Sequence, residues 1–558
     1  MSPSPQSRIA AATAPKRCAP RWAPLVRVLG LAALALVGPG VLNGAVAGPL
    51  REAPASASAP GPLPQLAIWA APHGPAPKRP VGHQGARRAP QHGAHAPGRR
   101  HRRAHQRHLL QAPAICPSAS ALEGAGATTL AREGARYGIG ALLAAGETGR
   151  GVTIATVEFG ASSASDIAAY DRCFGLPAPA YRVVPIDGGG SSAAAFVAEA
   201  DLDIEQLQTQ APGATIVSYE APDTNASWTD VLSAIVSADQ AKVISISWAL
   251  CEAAYAGGAS GAVAPIDALL AKAAAQGQSV VVASGDRGAQ GCYDPATGAG
   301  AGTLAVDFPA SDPNVTAVGG TDVSARGVRV WNAALQAGAS GASGGGVSAD
   351  FAEPSWQQAV AGNLAGSCGA SGCRGIPDLT VDSNGLIFYA GGSLATGSGT
   401  SFSAPFVAAM TADLQSGCAT PIGNLAPRLY AWDQADPGAA FVPVTSGSND
   451  YTGSSGSTYS ASATYNLATG LGTPVAGALS CPQVHSLSPT VAPAGATVTI
   501  TGTSLGFASV AFGSSAATVI SKRPDRLVVM VPPGSGTVTV TVSDPTGAAP
   551  SQTFSYGP

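Results

Sequence analysis

Histidine is missing from the part of this chain best suited to fold around a core. Of eight histidines in 558 residues, His73, His83, His92, His95, His101, His105 and His108 precede residue 111, and His485 lies near the other end. None falls between about 112 and 480, so a serine–histidine–aspartate relay cannot be built there. Charge is scarce too: 11% of residues are Asp, Glu, Lys or Arg, against 45% hydrophobic. No Cys-x-x-Cys pair is present, which removes the common zinc-holding pattern. Long apolar runs are also lacking. The stretch VLGLAALALV, Val28 to Val37, is interrupted by GPG at 38–40 and falls short of the ~20 residues a membrane span needs.

What is present predicts two or three domains from length, with 70 glycines and 45 prolines marking tight turns and some low-complexity sequence. Basic residues (Arg8, Lys16, Arg17, Arg21, Arg27), the apolar run and an Ala45-Val46-Ala47 cleavage site read as an export signal over 1–47. Residues 48–111, rich in Pro, Ala, His and Arg, read as a disordered linker. A metal- or polyanion-binding role for its histidines and arginines is the competing reading. Up to residue 111 there are fifteen Lys/Arg and one acid, Glu52, so the remainder carries 15 basic against 32 acidic residues, about −17. Such a body suits an acidic milieu and does not invite nucleic acid. Apart from Cys18, the cysteines form an even set: 116, 173, 251, 292, 368, 373, 418 and 481. Disulfides in an oxidising compartment follow. The close pair Cys368/Cys373 is the pairing that spacing supports, whereas Cys251–Cys292, Cys116–Cys173 and Cys418–Cys481 are assigned without such support.

From 112 to 480, apolar runs (GVTIATVEF, ATIVSYEAP, AKVISISWAL, QSVVVASGD) alternate with helical stretches (AFVAEADLDIEQLQTQ, SWTDVLSAIVSADQ, APIDALLAKAAAQ). That pattern predicts an α/β domain, a buried parallel sheet flanked by helices, with functional loops at the carboxyl ends of the strands. From 482 to 558, period-2 alternation with Gly/Pro turns and no helical segment predicts a small all-β sandwich.

Within the α/β domain, GSGTSFSAPFVAAM places Ser401 on a glycine turn ahead of a helix, as a serine nucleophile is often mounted. With histidine absent, its base must be something else. Glu199 and Asp203, four residues apart, share one helical face. Two carboxyls there cannot both ionise easily, so one proton shared between them would leave a base; an acidic solvent-facing helix face is the plain alternative. Asp286, after an apolar strand at a glycine turn, could donate a hydrogen bond to an oxyanion if protonated, or simply satisfy turn amides.

The ordered stretches EADLD, ASGDRGAQGC, FPASDPNVTAVGGT, SGGGVSADFAEPSWQ, RGIPDL and SGTSFSAP closely resemble the sedolisin (serine-carboxyl peptidase) family over about 115–480. The resemblance implies a subtilisin-like fold with Ser401 as nucleophile, Glu199 as general base, Asp203 orienting Glu199, and Asp286 as the oxyanion acid. It also implies calcium, from which this chain departs: Pro443 and Asn466 stand where aspartates are expected, with Ser462 and Thr464 in place of glycines, so the site should be degraded or absent. Asp450 is the acid nearest to compensating. Ala249 in SWAL replaces a glycine near the substrate backbone, and residues 48–111 are too short for the family's folded prodomain. The tail PQVHSLSPTVAPAGATVTITGTSLG resembles an IPT/TIG domain, which implies a spacer or a surface or carbohydrate contact. The expectation is a secreted, acid-acting serine-type endopeptidase on polypeptides, without a cofactor. The alternative is a catalytically inactive relative that binds surfaces.

Overall fold

The computed structural model describes residues 115–558 apart from 257–262, 334–340, 363, 367–371, 419, 455, 457–458, 524, 546 and 550–551. The export signal over 1–47, the segment 48–111 with its seven histidines, and Cys368 lie outside the described residues.

The α/β domain is built on one eight-stranded sheet. Its strands are β1 (Thr153–Glu158), β2 (Ala180–Pro185), β3 (Thr215–Glu220), β4 (Val243–Ile246), β5 (Ser279–Ala283), β6 (Thr316–Ser324), β7 (Gly327–Val330) and β8 (Leu379–Asp382). They lie in the order β7-β6-β5-β4-β1-β3-β2, with β8 paired to β6. All pairs are parallel except β6–β7. Buried on both faces, β1, β4 and β5 read as continuous apolar runs, and successive residues serve opposite cores. Ile154, Val243 and Val281 join one core, with Ile204, Leu207, Phe406 and Met410. Ala155, Val157, Ile244, Val280 and Val282 join the other, with Trp228, Val231, Ile266 and Leu270. The first core is closed by helices α1 (Ala194–Gln210) and α4 (Thr400–Gly417), the second by α2 (Asn225–Ala238) and α3 (Val263–Ala275).

The chain leaves β1 towards β2 and β3 on one side, then returns to build β4, β5 and β6 on the other. This reversal opens a crevice at the carboxyl ends of the strands around β1, where open α/β sheets hold their sites. Neither helix that reaches the crevice is an amphipathic surface helix. Residues 199–208 of α1 and 400–414 of α4 are buried throughout, so whatever polar groups they carry must find partners inside the protein.

The C-terminal β region matches the predicted sandwich. Gln483–Ser488, Thr497–Thr503, Arg526–Met530 and Thr518–Arg523 form one sheet, and a second contains Ser509–Phe512, Thr537–Asp544 and Gln552–Tyr556. Val498, Ile500, Leu527, Val529, Val540, Val542 and Phe554 fill the space between them. One detail differs from the sequence reading: a single 3-10 turn, Leu505–Phe507, drops Leu505 into that core. Disulfides Cys116–Cys173, Cys251–Cys292 and Cys418–Cys481 are formed, and Cys373 is also disulfide-bonded.

Candidate active site

Ser401, Glu199, Asp203 and Asp286 converge on the crevice. Ser401 is the second residue of α4 and is 3% exposed. In this first turn the Thr400 N–H donates to Asp286 Oδ1 at 2.8 Å and the Phe402 N–H to the Gly399 carbonyl at 3.2 Å. The Ser401 N–H, an orphan donor of a helix start, points at no backbone acceptor. The preceding Gly399 is required by close approach: with φ +157°, a Cβ there would sit 2.9 Å from Asp286 Oδ2 and 3.7 Å from the Ser401 nitrogen.

Glu199 and Asp203 are fully buried, so the solvated-face reading of EADLD fails for these two. Burial pushes the Glu199 pKa well up; the Ser401 side chain opposes this, and the charges of Glu158 and Asp286 add to it. Among the described residues neither Glu199 oxygen has a hydrogen-bond partner of good geometry. Asp203 is held differently. The Ser247 hydroxyl lies 2.8 and 2.9 Å from its two oxygens and 3.3 Å from the Ser401 carbonyl, while Thr156 Oγ1 approaches Oδ2 at 3.2 Å.

Asp203 has a second carboxyl neighbour besides Glu199. Glu158, the last residue of β1, shares the Thr156 hydroxyl with Asp203 as a neighbour. Thr156 Oγ1 donates to Glu158 Oε1 at 2.5 Å and Trp248 Nε1 to Oε2 at 3.4 Å. Burial, partly offset by these donors, leaves Glu158 at about 7. For Asp203, burial and then the charges of Glu158 and Glu199 push the pKa well up. Buried carboxyls this close cannot all ionise easily, and Asp203 has both Glu158 and Glu199 as charged neighbours.

Asp286 follows β5 and is partly exposed. Its Oδ1 accepts from both the N–H and the Oγ1 of Thr400, each at 2.8 Å, and Thr400 Oγ1 in turn accepts from the Gly285 N–H at 3.1 Å. Burial raises Asp286 to about 6, against the pull of those Thr400 bonds.

Sequence reasoning missed Glu158, Trp248, Ser247 and Thr156. A usable signal existed: Glu158 is the penultimate residue of the run GVTIATVEF, and Ser247–Trp248 directly follow β4, all at carboxyl ends of strands flanking the reversal. Trp248 also stacks on Phe196 and meets Phe159 edge-on, centroids 5.3 and 5.2 Å away, which walls off Glu158.

Among the described residues no group of three or more His, Cys, Asp or Glu is arranged to hold a metal. The residues at the implied calcium position do not fit one. Pro443 brings no ligand side chain, and the Asn466 amide nitrogen faces the Ser462 and Thr464 carbonyls. Asp450 is turned elsewhere, its Oδ1 accepting from Gln290 Nε2 at 2.9 Å.

Comparison with known proteins agrees with this architecture. Residues 160–427 match the Subtilase family and residues 482–556 the IPT/TIG domain. Kumamolisin of Bacillus sp. (strain MN-32) is 32% identical over 345 residues, 59% of each chain. Sedolisin of Pseudomonas sp. (strain 101) is 35% identical over 270 residues, 46% of this chain and 44% of that one. The solved structure of Pseudomonas sedolisin, a serine-carboxyl proteinase complexed with two molecules of pseudo-iodotyrostatin, superposes with a TM-score of 0.51 at 29% identity, covering 65% of this chain and 94% of that one. The protein thus has the subtilisin-like α/β fold followed by an IPT/TIG domain. Within that class the chain is similar to the sedolisin-type serine peptidases. It spans about half the length of the curated relatives it matches.

Proposed function

We propose that this chain is an exported endopeptidase that cleaves polypeptides at acid pH, with Ser401 as nucleophile and Glu199 as its base. The observation that carries this reading is a buried carboxyl, Glu199, beside a helix-start serine in a domain whose described residues contain no histidine. In the proposed reaction Glu199 takes the hydroxyl proton as Ser401 Oγ attacks the peptide carbonyl carbon, and the carbonyl electron pair moves onto oxygen. Collapse of the tetrahedral intermediate breaks the C–N bond, and Glu199 returns the proton to the departing amine. Water then attacks the acyl-enzyme by the same route and frees the acid.

Two donors suit the oxyanion. Asp286 Oδ1 is occupied as an acceptor by Thr400, so the proton of a neutral Asp286 resides on Oδ2. Oδ2 and the Ser401 N–H border the same space above Gly399. An oxyanion placed there receives both hydrogen bonds, the preorganised arrangement acyl transfer requires. A proton held by Asp203 or Glu158 removes one of the negative charges opposing Glu199 ionisation.

We also propose the division 1–47 export signal, 48–111 linker, 112–480 peptidase and 482–558 surface-contact module. The bridges Cys116–Cys173, Cys251–Cys292 and Cys418–Cys481 support an oxidising destination, and among the described residues no helix is long and apolar enough to cross a membrane. The test is an acid-pH digestion of unfolded protein by wild type and Ser401→Ala. Wild type should cleave and Ser401→Ala should fall at least ~10⁴-fold, to background. Equal rates in the two would overturn the reading and leave the surface-binding one.

A further inference from the structure

We propose that this chain closes its 443–472 loop without a divalent cation, and that the Asn466 side-chain amide takes the place a cation would hold. The proposal is independent of whether the chain cleaves peptides.

Every polar atom of the Asn466 side chain is engaged. Its Nδ2 donates to the Thr464 carbonyl at 3.1 Å and the Ser462 carbonyl at 3.4 Å. Its Oδ1 accepts from the Ala468 N–H at 3.1 Å, the Thr469 N–H at 3.0 Å and Thr469 Oγ1 at 3.0 Å. Three donors on one side and two carbonyls on the other leave a single consistent amide orientation. The two carbonyls converge as they would on a hard cation, which gathers backbone oxygens. Here the partial positive charge of an NH₂ group gathers them.

The chemistry distinguishes asparagine from aspartate sharply. Aspartate could accept the three donor bonds equally well. Its second oxygen, while ionised, would then face the Ser462 and Thr464 carbonyls, and a cation between them would relieve that repulsion. Asparagine needs none. The opposing segment is consistent, because Pro443 offers no carboxylate and Asp450, the acid nearest in sequence, binds Gln290.

The loop so closed is a brace. Gly470 (φ +60°) and Gly472 (φ +106°) let it press on the backbone of Asp378 and Val442, where a Cβ would lie 2.2 and 2.4 Å from their carbonyl oxygens. Its earlier part grips the segment that follows Asp286. The Ala289 N–H donates to the Asn449 carbonyl at 2.8 Å, the Tyr451 N–H to Gln290 Oε1 at 2.9 Å, and Asn449 Nδ2 to the Gly345 carbonyl at 3.1 Å.

The experiment is thermal unfolding of the full chain in calcium chloride and in excess EGTA, for wild type, Asn466→Asp and Asn466→Ala. For wild type the two midpoints should agree within about 1 °C, since a ligand that does not bind the native state cannot shift it. Asn466→Asp should fall by roughly 5 °C in EGTA and recover part of that in calcium. Asn466→Ala should fall similarly and stay low in calcium. A calcium-dependent rise of several degrees in wild type overturns the proposal, as does an Asn466→Asp midpoint in EGTA equal to that of wild type. If Asn466→Ala does not fold, the wild-type and Asn466→Asp arms still decide.

Discussion

At the scale of single residues, the site is a set of carboxyls whose protonation states must differ if they are to do different work. Asp286 has to be neutral to donate, and it sits at about 6. Peptidase activity should therefore decline as pH rises through about 6. Asp286→Asn tests the cause, because an amide can keep Oδ1 as acceptor for Thr400 and present Nδ2 as a donor that never titrates. The variant should lose roughly 10²-fold in kcat, but its alkaline limb should move to higher pH. An unchanged alkaline limb would assign that limb to another group. Glu199→Gln removes the proton acceptor altogether and should cost about 10²–10⁴ in kcat/KM with the fold intact by circular dichroism; wild-type activity would eliminate Glu199 as base.

At the scale of elements, helices α1 and α4 explain what could and could not be read in advance. The four residues singled out from sequence come together because each follows a legible signal: a glycine turn before a helix for Ser401, i,i+4 spacing for Glu199 and Asp203, and a strand-end turn for Asp286. Strand order, and with it the reversal at β1, was not legible, because pairing over hundreds of residues leaves no local trace. Glu158 went unseen for that reason. The burial of α1 was equally hidden: its mix of acids and apolar residues resembles a surface helix, and only the layer closing over it makes Glu199, Asp201, Asp203 and Glu205 interior. Helix α4 carries a further buried acid, Asp413, with neither oxygen hydrogen-bonded and Glu147 as its charged neighbour. Burial first, then Glu147, raises Asp413 to about 9, and Glu147 itself is raised to about 7. A raised acid's contribution is complete below its unfolded value near 4 and is lost progressively as pH climbs from there to the folded value. Asp413→Asn keeps the shape and cannot ionise. It should raise the thermal midpoint at pH 7 by several degrees, on the order of 2 kcal/mol, and change it little at pH 4. A stabilisation equal at both pH values would contradict the ionisation account.

At the scale of the whole molecule, the same sign recurs at many sites and sets the direction in which stability runs with pH. Asp201 is raised to about 8, Asp307 and Asp312 to about 7, and Asp382 to about 6, burial being the largest cause in each. Ion pairing does little to reverse this. Among the described residues, Arg136–Asp382 and Arg374–Asp378 are the ion pairs whose carboxylates are fully buried, and Asp382 stays raised even beside Arg136. Between about pH 4 and 8 the folded chain therefore holds more protons than the unfolded one, and the linkage relation makes stability fall as pH rises. Each extra proton contributes about 1.4 kcal/mol per pH unit. Two or three protons held in excess across pH 5–7 would lower the thermal midpoint by several degrees, roughly 5–10 °C, over that interval. Differential scanning calorimetry of Ser401→Ala, which cannot digest itself under the proposed mechanism, measures this without autolysis. A midpoint that rose from pH 5 to 7 would mean that the buried acids are ionised in the folded chain. In that case Asp286 would lose the neutral form on which its proposed hydrogen bond to the oxyanion depends, so stability against pH checks the same chemistry that the rate profile does, by a route that needs no substrate.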